Sequence, residues 1–221
     1  MSPLLPVTAG PRPLGGEARA NMVHRLMLDV ERKAGIKVGP QVEQKLLRLL
    51  NDLPPEELAG WVASMESADP DNPDYLSMIE SLTVHETYFY RDKPQLDHLR
   101  QNVFPKLVAG RRTMSRPTLT IWSAASSTGE EPYTFAMMAL LALLEAGEAS
   151  ENANAITPNP RWGITVVGTD ISRQALRTAR DATYAVAGLS SFRDLPKELE
   201  RFFIAPPRDM AAEAGGIART V

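Results

Sequence analysis

Three acids and a run of small residues in the middle of the chain have the types and spacing of a ligand site. Thr118–Glu131 reads TLTIWSAASSTGEE. Leu119–Trp122 is a short apolar run, and Ser123–Gly129 holds nothing larger than a Thr. Glu130 and Glu131 then lead, through Pro132, into the long apolar segment Tyr133–Leu144. That order predicts a strand, a tight loop and a helix, because a proline's missing N–H costs nothing in a first helical turn. Small residues between strand and helix let a ligand approach the backbone closely. Further on, Ile164–Thr169 (ITVVGT) is a β-branched run that ends at Asp170. An acid at the carboxyl end of the second strand of a βαβ unit can accept hydrogen bonds from both hydroxyls of a ribose.

Charge narrows the ligand. A dinucleotide would set its pyrophosphate against the helix N-terminus, where Glu130 and Glu131 would repel it. A cofactor with a nucleoside and a cationic amine suits the place better, and S-adenosylmethionine is the common one. Two plainer roles stay open: the acids complement the helix dipole, and Asp170 caps a helix starting at Ser172. The separation of Gly129 from Asp170 is about twice the ~20 residues expected of such units. Gly147–Arg161, rich in Ala, Asn, Pro and Glu, accounts for the excess as an inserted surface loop.

Upstream, HETYFYRD occupies residues 85–92. The guanidinium of Arg91 can grip a carboxylate in two parallel hydrogen bonds, and a methionine-type cofactor carries one. Tyr88, Phe89 and Tyr90 suit aromatic packing between domains. Together, SAASSTGEEPY, GTDIS and HETYFYRD resemble the CheR-type chemotaxis methyltransferases, which methylate receptor glutamates from S-adenosylmethionine. The resemblance runs from about Asp29 to about Phe203. It implies cofactor contacts at His85, Thr87, Arg91, Ala125, Gly129, Glu131 and Asp170. His85 stands where the family has Asn; an imidazole donates one hydrogen bond, with different geometry.

The elements that must carry these residues follow from periodicity. Residues 1–20, rich in Pro and Gly, are expected to be disordered. Apolar positions at helical spacing predict a small helical domain over 21–82, with one helix through Met22, Leu26 and Val30, and a second through Val42, Leu46 and Leu50. In the resembling family the second helix is strongly basic and faces the receptor. Here it offers Lys45 and Arg48 as substrate-facing cations, against Glu43 and Asp52. Residues 83–117 read as a linker holding the HETYFYRD segment and a helix over Gln95–Leu107. Tyr184–Leu189 reads as a turn and Pro196–Phe203 as a short helix. The fold class expected is α/β: a helical N-terminal domain, then, as the resemblance implies, a Rossmann-like S-adenosylmethionine methyltransferase domain over 118–221.

Composition sets outer limits. The chain has 221 residues with 27 acids against 24 bases, a balance unlike that of a nucleic-acid binder. Zero cysteines remove disulfides, thiolate metal sites and cysteine nucleophiles. No apolar run approaches the ~18 residues of a membrane span, so a soluble cytoplasmic protein is expected, and the resemblance implies a chemoreceptor cytoplasmic domain as its partner. Only two convincing strands are visible, and parallel sheets are normally larger. The sequence also lacks the later D-x-I-x-C-R-N-like strand of the resembling family, so the Rossmann-like domain reads as truncated. The activity expected is transfer of a methyl group to receptor glutamates. The competing reading is a truncated, catalytically inactive cofactor-binding or protein-interaction module.

Overall fold

The computed structural model describes residues 16–83, 86–152, 155–186, 191–204 and 218–220. The chain divides into two compact units, with the boundary between Val84 and His85.

The first unit is helical: α1 (Gly16–Ala34), α2 (Pro40–Asp52), α3 (Pro55–Ser67) and α4 (Pro73–Leu82). A proline opens each of α2, α3 and α4, where its fixed φ favours the first turn. Asn72 caps α4 by accepting from the Asp74 and Tyr75 N–H groups. Leu26 and Val30, Leu46 and Leu50, and Leu58 and Val62 are buried pairs four residues apart, so each helix turns one stripe inward. Full burial of such a side chain contributes about 1.5–3 kcal/mol. The expected disorder through Ala20 is corrected here, because α1 already begins at Gly16. Glu17 complements its dipole and Ala18 and Ala20 favour the helix. Residues 1–15 lie outside the described residues.

Two lysines close helix ends in this unit. Lys33 Nζ donates to the carbonyls of Met65 (3.2 Å), Glu66 (2.8 Å) and Ala68 (2.8 Å), at the end of α3. It also pairs with Asp29 at 3.0 Å; Asp29 is 6% exposed and pairs with Arg32 at 2.6 Å as well. Lys45 Nζ donates to Leu82 O (3.2 Å) and Thr83 O (2.7 Å), at the end of α4. Both answer carbonyls that a helix C-terminus leaves without partners.

The second unit opens with α5 (Lys93–His98), a π-helical turn (Leu99–Val103) and α6 (Phe104–Arg111). One continuous helix was expected over Gln95–Leu107. The widened turn has a local cause: Pro105 lacks an N–H, and its ring would strike the carbonyl one turn back. The Phe104 N–H accordingly reaches Leu99 O, five residues back.

The α/β part follows: β1 (Thr118–Ala124), α7 (Glu130–Glu145), β2 (Ala149–Glu151), β3 (Ile156–Pro158) and β4 (Gly163–Thr169). After them come α8 (Arg173–Asp181), β5 (Thr183–Ala185), a 3-10 helix (Lys197–Phe202) and β6 (Ala218–Thr220). β1 and β4 are parallel, with Thr118 opposite Gly163 and Ala124 opposite Thr169. A parallel pair needs a crossover, and α7 provides it. The expected order of a helical region followed by an α/β unit with parallel strands is what the chain adopts. α7 contacts both strands and buries Met137, Met138, Leu141 and Leu143. On the sheet, Leu119 is buried, whereas Trp122 is 69% exposed and Val167 42% exposed.

Two loop expectations are corrected. Gly147–Arg161 contains the antiparallel hairpin β2–β3. Glu148 holds its base by accepting from Arg161 Nη2 at 2.7 Å through both oxygens and from Trp162 Nε1 at 3.0 Å. Those donors keep the Glu148 carboxyl below its ordinary range. Likewise Tyr184 and Ala185 belong to β5, which pairs antiparallel with β6. The hydrophobic pattern was too short in either place to reveal a three-residue strand. No described helix is long and apolar enough to cross a membrane.

Candidate functional site

The site is built where β1 and β4 end level. Beyond the last paired residues, Ser126 N–H donates to Thr169 O at 2.9 Å, which carries the ladder one step into the loop. Asp170 then accepts from Ser127 N–H (2.7 Å) through one oxygen and from Ser172 N–H (2.8 Å) through the other. Ser172 itself caps α8 by accepting from Ala175 N–H at 3.0 Å. The helix-cap role considered for Asp170 therefore belongs to Ser172. Asp170 instead ties the loop to the second strand, and each of its oxygens keeps a lone pair for a further donor.

The loop is strained. Ala125 (φ 59°), Ser127 (φ 47°) and Gly129 (φ 98°) all lie in the left-handed region. For the two non-glycine residues this costs about 1–2 kcal/mol each, and such conformations persist only where the surroundings over-determine them. Gly129 has a second reason to be glycine, since a Cβ there would lie 2.7 Å from Ala179 Cβ and 3.0 Å from the Tyr184 hydroxyl.

The two glutamates part company. Glu131 is exposed and accepts from Ser123 Oγ at 2.7 Å. Glu130 is 2% exposed and turned inward, accepting from Thr128 Oγ1 (2.6 Å) and Ser191 Oγ (2.7 Å). The expectation that both would face a phosphate is corrected: Glu131 alone is presented to solvent. Tyr184, which donates to Thr128 O at 2.8 Å, has its phenol pushed up by burial and by the nearby Glu130 charge.

The upstream segment docks on the same helix start. Phe89 N–H donates to Ser191 O (2.8 Å), and Tyr90 N–H to Thr134 Oγ1 (3.3 Å), which in turn donates to Glu130 O (2.7 Å). Phe89 is fully buried against Tyr184, Phe192 and Phe203, with ring centroids 4.8–5.3 Å away. Its packing partners thus belong to the second unit, where packing between domains was expected. Tyr90 and Asp92, on either side of Arg91, both have φ near 63°. Arg91 is exposed, donates to Glu86 O and makes no ion pair among the described residues. Arg193 stacks 3.8 Å from the Tyr88 ring centroid and pairs with Glu86 at 2.9 Å. Thr87 is half-buried in the extended stretch before them. His85 lies outside the described residues.

Of the residues expected at the site, the loop, Glu131 and Asp170 meet at the strand ends. Tyr90 anchors the backbone next to Arg91 to the first turn of α7. Lys45 is engaged with the end of α4, while Arg48 is exposed on α2. Thr128, Thr134, Tyr184 and Ser191 were not singled out from sequence; isolated hydroxyls carry no spacing signal. A cavity of about 330 Å³, lined by Ser126, Tyr133, Val166, Leu176 and Ala179, lies beside the loop. Glu131, Asp170 and Arg91 do not line it.

The donor set fits S-adenosylmethionine. Asp170 keeps acceptor capacity, Glu131 is an exposed anion and Arg91 is an exposed cation, groups that could answer the hydroxyls, amine and carboxylate of that cofactor. Comparison with known proteins agrees. Residues 85–214 match the model of the CheR methyltransferase, SAM binding domain. A chemotaxis protein methyltransferase of Borreliella burgdorferi is 27% identical over 164 residues, covering 72% of this chain and 53% of that protein. One from Klebsiella aerogenes is 28% identical over 204 residues, covering 86% and 61%. Chemotaxis protein methyltransferase 1 of Pseudomonas aeruginosa is 31% identical over 129 residues, covering 58% and 42%. The chain spans about half the length of the curated relatives it matches. With more than half of its residues matched by that model, and with the loop, the strand-end acid and the arginine segment in place, the chain belongs to the CheR methyltransferase family.

Proposed function

We propose that this chain binds S-adenosylmethionine at the ends of β1 and β4 and serves methyl transfer to glutamate side chains of a chemoreceptor cytoplasmic domain, in the cytoplasm. The observation that carries the reading is Asp170, fixed by two backbone N–H groups from opposite sides of the site with acceptor capacity to spare. In this reading Asp170 takes the ribose hydroxyls and Arg91 the cofactor carboxylate. Glu131 takes the amine, and Thr87, His85, Ala125 and Gly129 complete the contact surface.

The cofactor, when bound, supplies an already activated methyl group. A substrate glutamate, with a reference pKa of ~4.3, is already ionised near neutrality. The chain's task is then to hold donor and acceptor in line, so proximity dominates and no acid–base pair is needed. Receptor recognition falls to the helical unit, with Arg48 as its exposed cation on α2.

Differential scanning of the full chain tests the cofactor step. S-adenosylhomocysteine at 100 times its Kd should stabilise by about 2.7 kcal/mol through mass action, and NAD should not. An equal shift with NAD would discard the charge argument at Glu131. Incubation with radiolabelled S-adenosylmethionine and receptor cytoplasmic fragments tests the transfer itself.

A further inference from the structure

Glu130 is a buried carboxylate to which the reading above gives no work. Its side-chain partners are hydroxyls, Thr128 on the loop and Ser191 far along the chain, at 2.6 and 2.7 Å. Burying a carboxyl group is costly unless hydrogen bonds offset it. What it organises can be followed bond by bond. Ser191, held by the Glu130 side chain, offers its carbonyl to Phe89 N–H at 2.8 Å. Thr134, held by the Glu130 carbonyl, offers its hydroxyl to Tyr90 N–H at 3.3 Å. Two consecutive amides of the segment are thus each one residue removed from Glu130. The next residue is Arg91, held between two left-handed residues, Tyr90 and Asp92. A backbone so far from its preferred conformations needs fixed anchors. The third arm, Thr128, precedes Gly129 in the loop.

We infer that Glu130 is a positioning residue: its side chain touches no ligand, and sets the loop and the Arg91 segment in register by holding Thr128 and Ser191 at once. This rests on the reading that loop and segment serve one cofactor. Two adjacent acids therefore divide the labour, Glu131 facing the ligand and Glu130 holding the frame.

Hydrogen exchange on the full chain without ligand, paired with titration of S-adenosylhomocysteine, separates the two ideas. Glu130→Ala should speed exchange at the Phe89 amide at least tenfold, leave the Tyr90 amide, which hangs on the Glu130 backbone carbonyl through Thr134, near its parental rate, and weaken S-adenosylhomocysteine at least tenfold. Glu130→Gln keeps one acceptor oxygen and gains a donor that hydroxyls can accept, so it should recover most of both. Arg91→Ala should lose affinity with parental exchange at Phe89. Should Glu130→Ala fail to fold, Thr128→Val and Ser191→Ala each remove one arm. Ser191→Ala should then free Phe89, and loss of affinity should accompany it. Parental exchange at Phe89 in Glu130→Ala, or in Ser191→Ala where Glu130→Ala does not fold, overturns the proposal. A parent chain that ignores S-adenosylhomocysteine would discard the cofactor reading alone, because the exchange rates still decide what Glu130 holds.

Discussion

The two units use partly or fully buried polar groups for opposite ends. In the helical unit Lys33 and Lys45 finish helices that would otherwise end on bare carbonyls, and no described backbone there is left-handed except at Gly35. In the second unit Asp170 and Thr134 hold Ser127 and Tyr90 where they would not go unaided. The first arrangement lowers the energy of regular structure. The second maintains irregular structure, and irregular structure held rigidly is what a ligand site requires.

The comparison is broken most forcefully at Lys33. Lys33→Met leaves Asp29 with Arg32 as its one remaining cation among the described residues and strips the end of α3 of its donor. Removing one partner of a buried pair costs about 3–5 kcal/mol; the 11% exposure of Lys33 puts the expected loss at the lower end. Urea unfolding read through amide exchange in α1 and α3 measures it, and an unchanged midpoint would refute the capping role.

Asp170→Ala should cost less stability and more binding. Two ribose hydroxyls would lose a charged acceptor worth about 1.5–3 kcal/mol, a tenfold to hundredfold rise in the Kd of S-adenosylhomocysteine by calorimetry. Adenosine bound as tightly by the variant as by the parent would show that the acid serves the loop alone.

The smallest effect is set by pH. The folded-state pKa of Glu148 is lowered by its bonds to Arg161 and Trp162. Its contribution is therefore complete above the unfolded carboxyl range, ~4.3, and is lost as pH falls through the lower folded value. Tyr75 and Tyr90 run the other way: burial raises both to about 12. Their contribution is complete below the unfolded value of ~10 and fades as pH rises through 12. Acid should loosen amides of β2 and β3 first, and alkali should loosen α4 and the Tyr90 segment. The reverse order would contradict both assignments.

Much of this was legible in the sequence because it is periodic or punctuated. The helical stripes, β1, β4 and the loop of small residues each leave a pattern several residues long. The turned π-helix was signalled by Pro105, inside an otherwise regular helix, and was passed over. The hairpin β2–β3 and the strand β5 were invisible, since three residues carry no period. The distinction between Glu130 and Glu131 was beyond sequence reasoning from spacing alone. Which of two neighbouring helical side chains turns inward depends on Ser191, which lies far along the chain.

The level ending of β1 and β4 has one further consequence. Register, and not chain length, places Asp170 beside the loop, since the ladder runs from Thr118 opposite Gly163 to Ser126 N–H on Thr169 O. The hairpin between α7 and β4 packs on α7 and pairs with itself, outside that ladder. An insertion at its tip would leave the acid at the same height on the sheet. Counting residues from glycine loop to acid is therefore a poor ruler for this architecture, and counting rungs is a good one.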